Sequence, residues 1–229
     1  INEKETKGNT VVFDKGFKNF NFNQLTLSHN NQFIDFNGEM RGSTFKDFNF
    51  TFNDVDISKV TPDIKNLDLG GRLNSELKYK QDNLIYEPST NLTIDSLVVN
   101  DIPVGDLKLD VSGDESFKKF DVNAAISHEG EETFFTTGFV EVVNNKTILN
   151  LDAGFQSFNI KPIGGFLTGI LDNVRGFASG RAHIVGPYDN PEVDGILYLS
   201  NAGMRVPYLN VDYDFEKNSI IDLTEEKFI

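Results

Sequence analysis

The chain has 229 residues, with 21 basic and 35 acidic side chains and a net charge of −14. That balance leaves no basic stripe for a nucleic-acid backbone or for direct docking on an anionic leaflet. There is no cysteine and no tryptophan, which excludes a disulfide framework, a thiolate metal site and a cysteine nucleophile. The length suits one large all-β domain or two small ones. Only 38% of residues are hydrophobic, and 21 are Phe. The acidic excess reads as a solvated outer face that keeps an open β protein from stacking on itself.

Alternation of period two, the mark of a strand with one dry and one wet face, recurs along the chain. Phe20 and Phe22, then Leu25 and Leu27, form the first run. Asn30-Asn31 is a turn, and Ile34, Phe36 and Met40 carry the return. Phe48, Phe50 and Phe52 follow, then Val55 and Ile57, with a break at Pro62. Leu67, Leu69, Leu73, Leu77 and Tyr79 share one parity, as a long strand bent at Gly70-Gly71. Separate strands are expected around Leu92 and Ile94, around Leu97 and Val99, and around Leu107, Leu109 and Val111. Phe120, Val122, Ala124 and Ile126 come next, with hairpin tips at Glu129-Gly130 and Asn144-Asn145. Parity slips, as from Phe22 to Leu25, predict β-bulges or short corners.

The pattern changes at Pro162. Ile163, Phe166, Leu167, Ile170, Leu171 and Val174 have helical spacing, with Gly176 as the stop. This predicts a short amphipathic helix over 162–174. Gly164, Gly165 and Gly169 make it unstable alone, so it needs an apolar surface to lie on. From Gly176 to Ile184 one strand face is almost bare, which admits close approach of another backbone. A turn with two prolines, Pro187 and Pro191, leads to Val193, Leu197 and Leu199, and Leu209, Val211, Tyr213 and Phe215 close the series. The organisation is one elongated β domain: hairpin repeats over 1–160, the helix over 161–175, closing strands over 176–229.

Little in the chain points to chemistry. His29, His128 and His183 lack metal spacing. Asp54 and Asp56, Asp106 and Asp110, and Asp212 and Asp214 sit at even spacing, the pattern of a solvated strand face as much as of paired acids or a calcium site. No phosphate-cradling glycine motif and no nucleophile elbow occurs. The sequence predicts no enzyme and no cofactor. It contains no spanning apolar run, starts at Ile1 and breaks off in strand-like sequence, so a piece of a longer protein is expected.

The apolar stripe remains. It is read either as the core of a closed sandwich or barrel, or as an open groove. Roughly 16 stacked strands would run about 75–80 Å, and an exposed patch of that size calls for a ligand or partner.

Val174-Arg175-Gly176-Phe177-Ala178-Ser179-Gly180, Ile184-Val185-Gly186-Pro187 and Asn190-Pro191-Glu192-Val193-Asp194-Gly195 resemble the signature of the TamB branch of the AsmA-like superfamily. Val206-Pro207-Tyr208-Leu209 with Val211 and Tyr213 is similar to the Bacteroidota type. The resemblance covers about 40 to 60 residues and rests on a short, glycine-driven signature. It implies an antiparallel sheet curled lengthwise into a taco-like, half-open β-roll. It also implies a periplasmic location in a diderm bacterium, an inner-membrane anchor outside this sequence, an outer-membrane partner of the Omp85 class, and phospholipid transport between membranes. Neither family end is present, so groove width and the partner-binding region do not carry over.

On that reading the stripe is a conduit for glycerophospholipid acyl chains. The expected lining is Phe20, Phe22, Phe36, Phe48, Phe50, Phe52, Leu67, Leu69, Leu73, Leu107, Leu109, Val111, Phe120, Val122, Leu197, Leu199, Leu209, Val211 and Tyr213. Each CH₂ kept from water is worth about 0.8 kcal/mol, so a 16-carbon chain crossing water faces a barrier of roughly 12 kcal/mol. A second reading is a scaffold offering a sheet edge or groove to nascent outer-membrane β proteins. A third, a surface adhesin, would want aromatics on the wet face.

Overall fold

The computed structural model describes residues 8–61, 67–167 and 170–224. Its strands are β1 (Thr10–Phe13), β2 (Asn19–His29), β3 (Gln32–Arg41), β4 (Phe45–Asp56), β5 (Leu69–Asp82), β6 (Ile85–Val99), β7 (Ile102–Gly113), β8 (Lys119–His128), β9 (Glu131–Val143), β10 (Lys146–Asn159), β11 (Asp172–Pro187), β12 (Glu192–Val206), β13 (Val211–Asp214) and β14 (Ile220–Asp222). They form one antiparallel sheet in chain order from β1 to β13, with β14 also pairing β12. β1 and β13 do not meet, so the sheet is open. At about 4.8 Å per strand the path runs roughly 60 Å. The chain is all-β, an elongated curled antiparallel sheet.

Tight turns make the meander. At Asn100-Asp101, Glu129-Gly130 and Asn144-Asn145 both central residues have positive φ, the geometry that matches strand twist. Among the described residues fourteen strands stand where roughly sixteen were expected. Leu92–Ile94 and Leu97–Val99, expected as two strands, are halves of β6 joined by a bulge. The break expected at Pro62 lies outside the described residues.

The parity slips are corners of one design. Phe22 and Leu25, Phe52 and Val55, Ile94 and Leu97, and Phe155 and Phe158 each flank two residues. The second of the two is left-handed: Gln24 (φ 44°), Asp54 (51°), Ser96 (52°) and Ser157 (48°). Asn201 (φ 49°) repeats this between Leu199 and Ala202. Such residues leave the ladder, so their amides need other acceptors. A side chain on the next strand supplies one: Asp54 N–H donates to Asn74 Oδ1 (2.9 Å), Ser96 N–H to Asp106 Oδ1 (2.8 Å) and Ser157 N–H to Ser179 Oγ (2.9 Å).

Each bulge bends its strand, and the bulges fall on β2, β4, β6, β10 and β12. The bend therefore runs the length of the sheet. Val55, Ile57, Leu73, Ile94, Leu97 and Val104 are buried along it. Phe158 of β10 packs against this cluster, although β7 and β10 lie roughly 14 Å apart along a flat sheet. Only a curled sheet brings them together.

The α-helix expected over 162–174 is corrected. Lys161–Leu167 is a 3₁₀ helix, and Asp172 already begins β11. Gly164 and Gly165 each cost a helix about 1 kcal/mol, and Gly176, the expected stop, lies inside β11 at φ 99°. Of the expected apolar face, the described members Ile163 and Ile170 are exposed and Leu171 is half-buried, while Pro162 is buried. The side chains of Phe166 and Leu167, and Gly169, lie outside the described set. The 3₁₀ helix sits against the β6–β7 turn, where a Cβ on Gly165 would fall 2.2 Å from the Asn100 amide nitrogen.

Candidate functional site

Residues paired directly across an antiparallel ladder share a face. One row runs Phe36, Phe50, Leu77, Thr90, Val111, Val122, Gly138, Leu151, Ile184 and Val193 from β3 to β12. The next runs Ile34, Phe52, Ser75, Leu92, Leu109, Ala124, Thr136, Ala153, Ala182 and Gly195. A third joins Val55, Leu73, Ile94, Leu107, Ile126, Phe134, Phe155, Gly180 and Leu197. Hydroxyls are the only polar groups in these rows. On the other face Asp35, Thr51, Glu76, Asn91, Asp110, Asn123, Thr137 and Asp152 form one polar row.

Most of the residues singled out in the sequence share the apolar face. Phe20, Phe22, Phe48 and Phe120 lie toward its rim, Leu69 packs on the buried cluster, and Leu199 is buried with Ala178 and Ala202. Leu67 is a half-buried residue in an isolated bridge. Val211 and Tyr213 pair with Val206 and Met204 at the sheet edge and are exposed. Leu209 lies in the 3₁₀ turn Pro207–Leu209, outside any ladder.

Sequence reasoning missed Phe134, Phe155 and Phe158, whose rings meet at 5.3 to 6.0 Å. Phe135 and Phe139, on the opposite face, blur the parity of that stretch. Each is covered there: Phe139 lies under the Lys119 ammonium at 4.0 Å, and Phe135 lies over Gly154.

A chain of aromatic rings follows the rim from Phe13 through Phe17, Phe20, Phe22, Phe36 and Phe48 to Tyr79, Tyr86, Phe117 and Phe120. Two of its members, Phe17 and Phe117, come from a repeated hairpin tip that the sequence reading also missed. Asp14-Lys15-Gly16-Phe17-Lys18-Asn19-Phe20 and Asp114-Glu115-Ser116-Phe117-Lys118-Lys119-Phe120 share Asp, Phe, Lys and Phe at the same offsets. Both tip phenylalanines are left-handed, Phe17 at φ 51° and Phe117 at 58°.

The Asp closes each tip. Asp14 Oδ1 accepts the Lys18 and Asn19 amides (2.8 and 2.9 Å), and Asp114 Oδ1 those of Lys118 and Lys119 (3.0 and 3.1 Å). These bonds favour the charged carboxylate and lower both pKa values. For Asp114, with the Ser116 hydroxyl as the largest contributor, the value falls to about 2. Phe117 roofs a 220 Å³ apolar pocket floored by Leu77, Tyr79, Pro88, Val111 and Phe120.

The face is lined but not sealed. Among the described residues no large side chain is fully buried, and Phe36, Phe48 and Phe50 keep partial exposure. An unsealed apolar surface of this length suits flexible hydrocarbon better than a rigid polar substrate.

The acids are occupied structurally. Asp106 accepts the Ser96 amide at a corner, Asp54 pairs with Arg72 (3.8 Å), Asp56 caps Ser58, and Asp212 and Asp214 both bind Arg175. His183 Nδ1 meets Asp152 Oδ1 at 2.9 Å on the wet face. Among the described residues no group of three His, Cys, Asp or Glu side chains is placed to hold a metal, and no helix is long and apolar enough to cross a membrane. Comparison of the chain with protein-family models, with curated proteins and with solved structures finds no match.

Proposed function

We propose that the apolar face holds the acyl chains of glycerophospholipids and lets them slide along the sheet. The observation that supports this is the uninterrupted one-sided register from β3 to β12, without a sealed interior. An acyl chain on this face replaces water at about 0.8 kcal/mol per CH₂, and neighbouring strands offer similar surfaces, so no step along the path is deep. With the resemblance to the TamB branch, the proposal extends to passage between the inner and outer membranes of a diderm cell envelope. The chain would then lie in the periplasm, with an inner-membrane anchor outside this sequence and an Omp85-class partner.

Native mass spectrometry of the purified chain tests the reading. Retained phospholipid supports it. A lipid-free chain that also takes up none from mixed detergent micelles counts against it. Photo-crosslinking of the sheet edges, β1 at one end and β13 with β14 at the other, to unfolded barrel strands rather than of Phe50 to acyl chains would favour the scaffold reading.

A further inference from the structure

We propose that a polar cluster on the rim, Lys46 with Tyr79, Gln81 and Tyr86, binds the phosphate of a phospholipid whose tails lie on the apolar face; this rests on the lipid-binding reading. Lys46 alternates with Phe48, Phe50 and Phe52 and sits between Met40 and Gln81 in the ladder. A cation on that face is out of place. Lys59, Lys78, Lys80 and Lys108 pair with carboxylates. Lys46 Nζ instead donates to the neutral Gln81 Oε1 (2.9 Å), and no carboxylate pairs with it among the described residues.

Gln81 is buried, 7% exposed, and acts as the hub. Its Oε1 also accepts from the Tyr79 hydroxyl (3.4 Å), while its Nε2 donates to Asn83 O (3.0 Å) and the Tyr86 hydroxyl (3.5 Å). Burial pushes the Tyr79 phenol up, so it stays a donor. The Tyr79 proton goes to Gln81, but the Lys46 ammonium and the Tyr86 hydroxyl, which accepts from Gln81 and keeps its own proton, meet at the edge of a dry surface as donors that a phosphodiester takes. Tyr79 is shared with the pocket under Phe117. A phosphate at the cluster therefore leaves its glycerol and first methylenes beside an apolar slot.

The test compares phosphatidylglycerol with diacylglycerol of the same chains, each offered to the purified chain from detergent and read by native mass spectrometry. The wild type should retain the phosphate-bearing lipid about tenfold better, the scale of one charged hydrogen bond. Lys46→Gln should bring the two lipids to parity without changing diacylglycerol retention, and Tyr86→Phe should reduce the preference in part. A preference unchanged in both variants overturns the phosphate site and leaves the trough reading intact. Inorganic phosphate bound as tightly as the lipid, with the same dependence on Lys46, assigns the cluster to a soluble anion and overturns the proposal. Retention of neither lipid overturns the trough reading and this inference with it.

Discussion

Replacing Thr90 by Asp puts a carboxylate in the middle of the apolar face with little change in volume. Thr90 lies between Leu77 and Val111, and its Oγ1 meets Ser75 Oγ at 3.3 Å. An acyl chain passing β6 would lose apolar contact over one strand spacing, about four methylenes, or roughly 3 kcal/mol. Transfer should slow roughly 200-fold. Ser89 is the adjacent residue, exposed on the other face beside Lys78 and Ser112. Ser89→Asp adds the same charge and should leave transfer within about twofold. The assay is movement of a fluorescent phospholipid between vesicles by the purified chain, with circular dichroism and melting recorded for both variants. Apolar neighbours raise a carboxyl pKa, so Thr90→Asp should regain transfer as pH falls toward about 5, and Ser89→Asp should not change. Equal rates for two folded variants would refute the role given to the face. Equal loss in both would trace the effect to net charge.

Gly138→Ala should destabilise the sheet by about 2 kcal/mol or more. Its φ is 147° and a Cβ would fall 2.1 Å from Asn150 O; the urea midpoint should drop while Gly130→Ala, with open space around it, costs about 1 kcal/mol. At the second hairpin tip, the folded Asp114 pKa lies below its ordinary 3.8, at about 2. The charged carboxylate therefore stabilises the tip above about pH 4 and loses that contribution as the pH falls through about 2. Protection of the Lys118 and Lys119 amides, taken relative to their intrinsic exchange rates, should fall over that window, and Asp114→Asn should remove that pH-dependent change in protection.

Period-two alternation was enough to read the fold class, because a curled sheet with one dry face keeps strict parity between corners. Phe48, Phe50 and Phe52 are on the expected face for that reason. The strand count was harder to read, since a bulge and a turn both interrupt parity with polar residues. Asp95-Ser96 bends β6, whereas Asn100-Asp101 ends it. The 162–174 segment misled because apolar residues at helical spacing also describe a 3₁₀ turn followed by an extended strand. Its glycines let the backbone choose the latter. Nothing in the sequence pattern singled out Lys46 and Gln81. Parity places Lys46 with the phenylalanines, but the closing of Gln81 over the two tyrosines is a tertiary fact.

Side-chain size along the face varies with position, and this bears on where a hydrocarbon chain would ride. In the row from Ile34 to Gly195 the residues are Ile, Phe, Ser, Leu and Leu through β7, then Ala, Thr, Ala, Ala and Gly from β8 to β12. The neighbouring row shrinks at Gly138, and the third at Gly180. Small residues there are forced by backbone contacts as well: a Cβ on Gly180 would lie 2.1 Å from Ile196 O, and one on Gly195 2.2 Å from Arg181 O. This one row is therefore bulky from β3 to β7 and low from β8 to β12, while the third row keeps Phe134 and Phe155 beside it on β9 and β10. An acyl chain following this row would lie shallow from β3 to β7 and deeper past β8. The Phe117 roof and the Lys46 cluster stand just before that change, on the aromatic side, where a lipid lying shallow most needs its head group held.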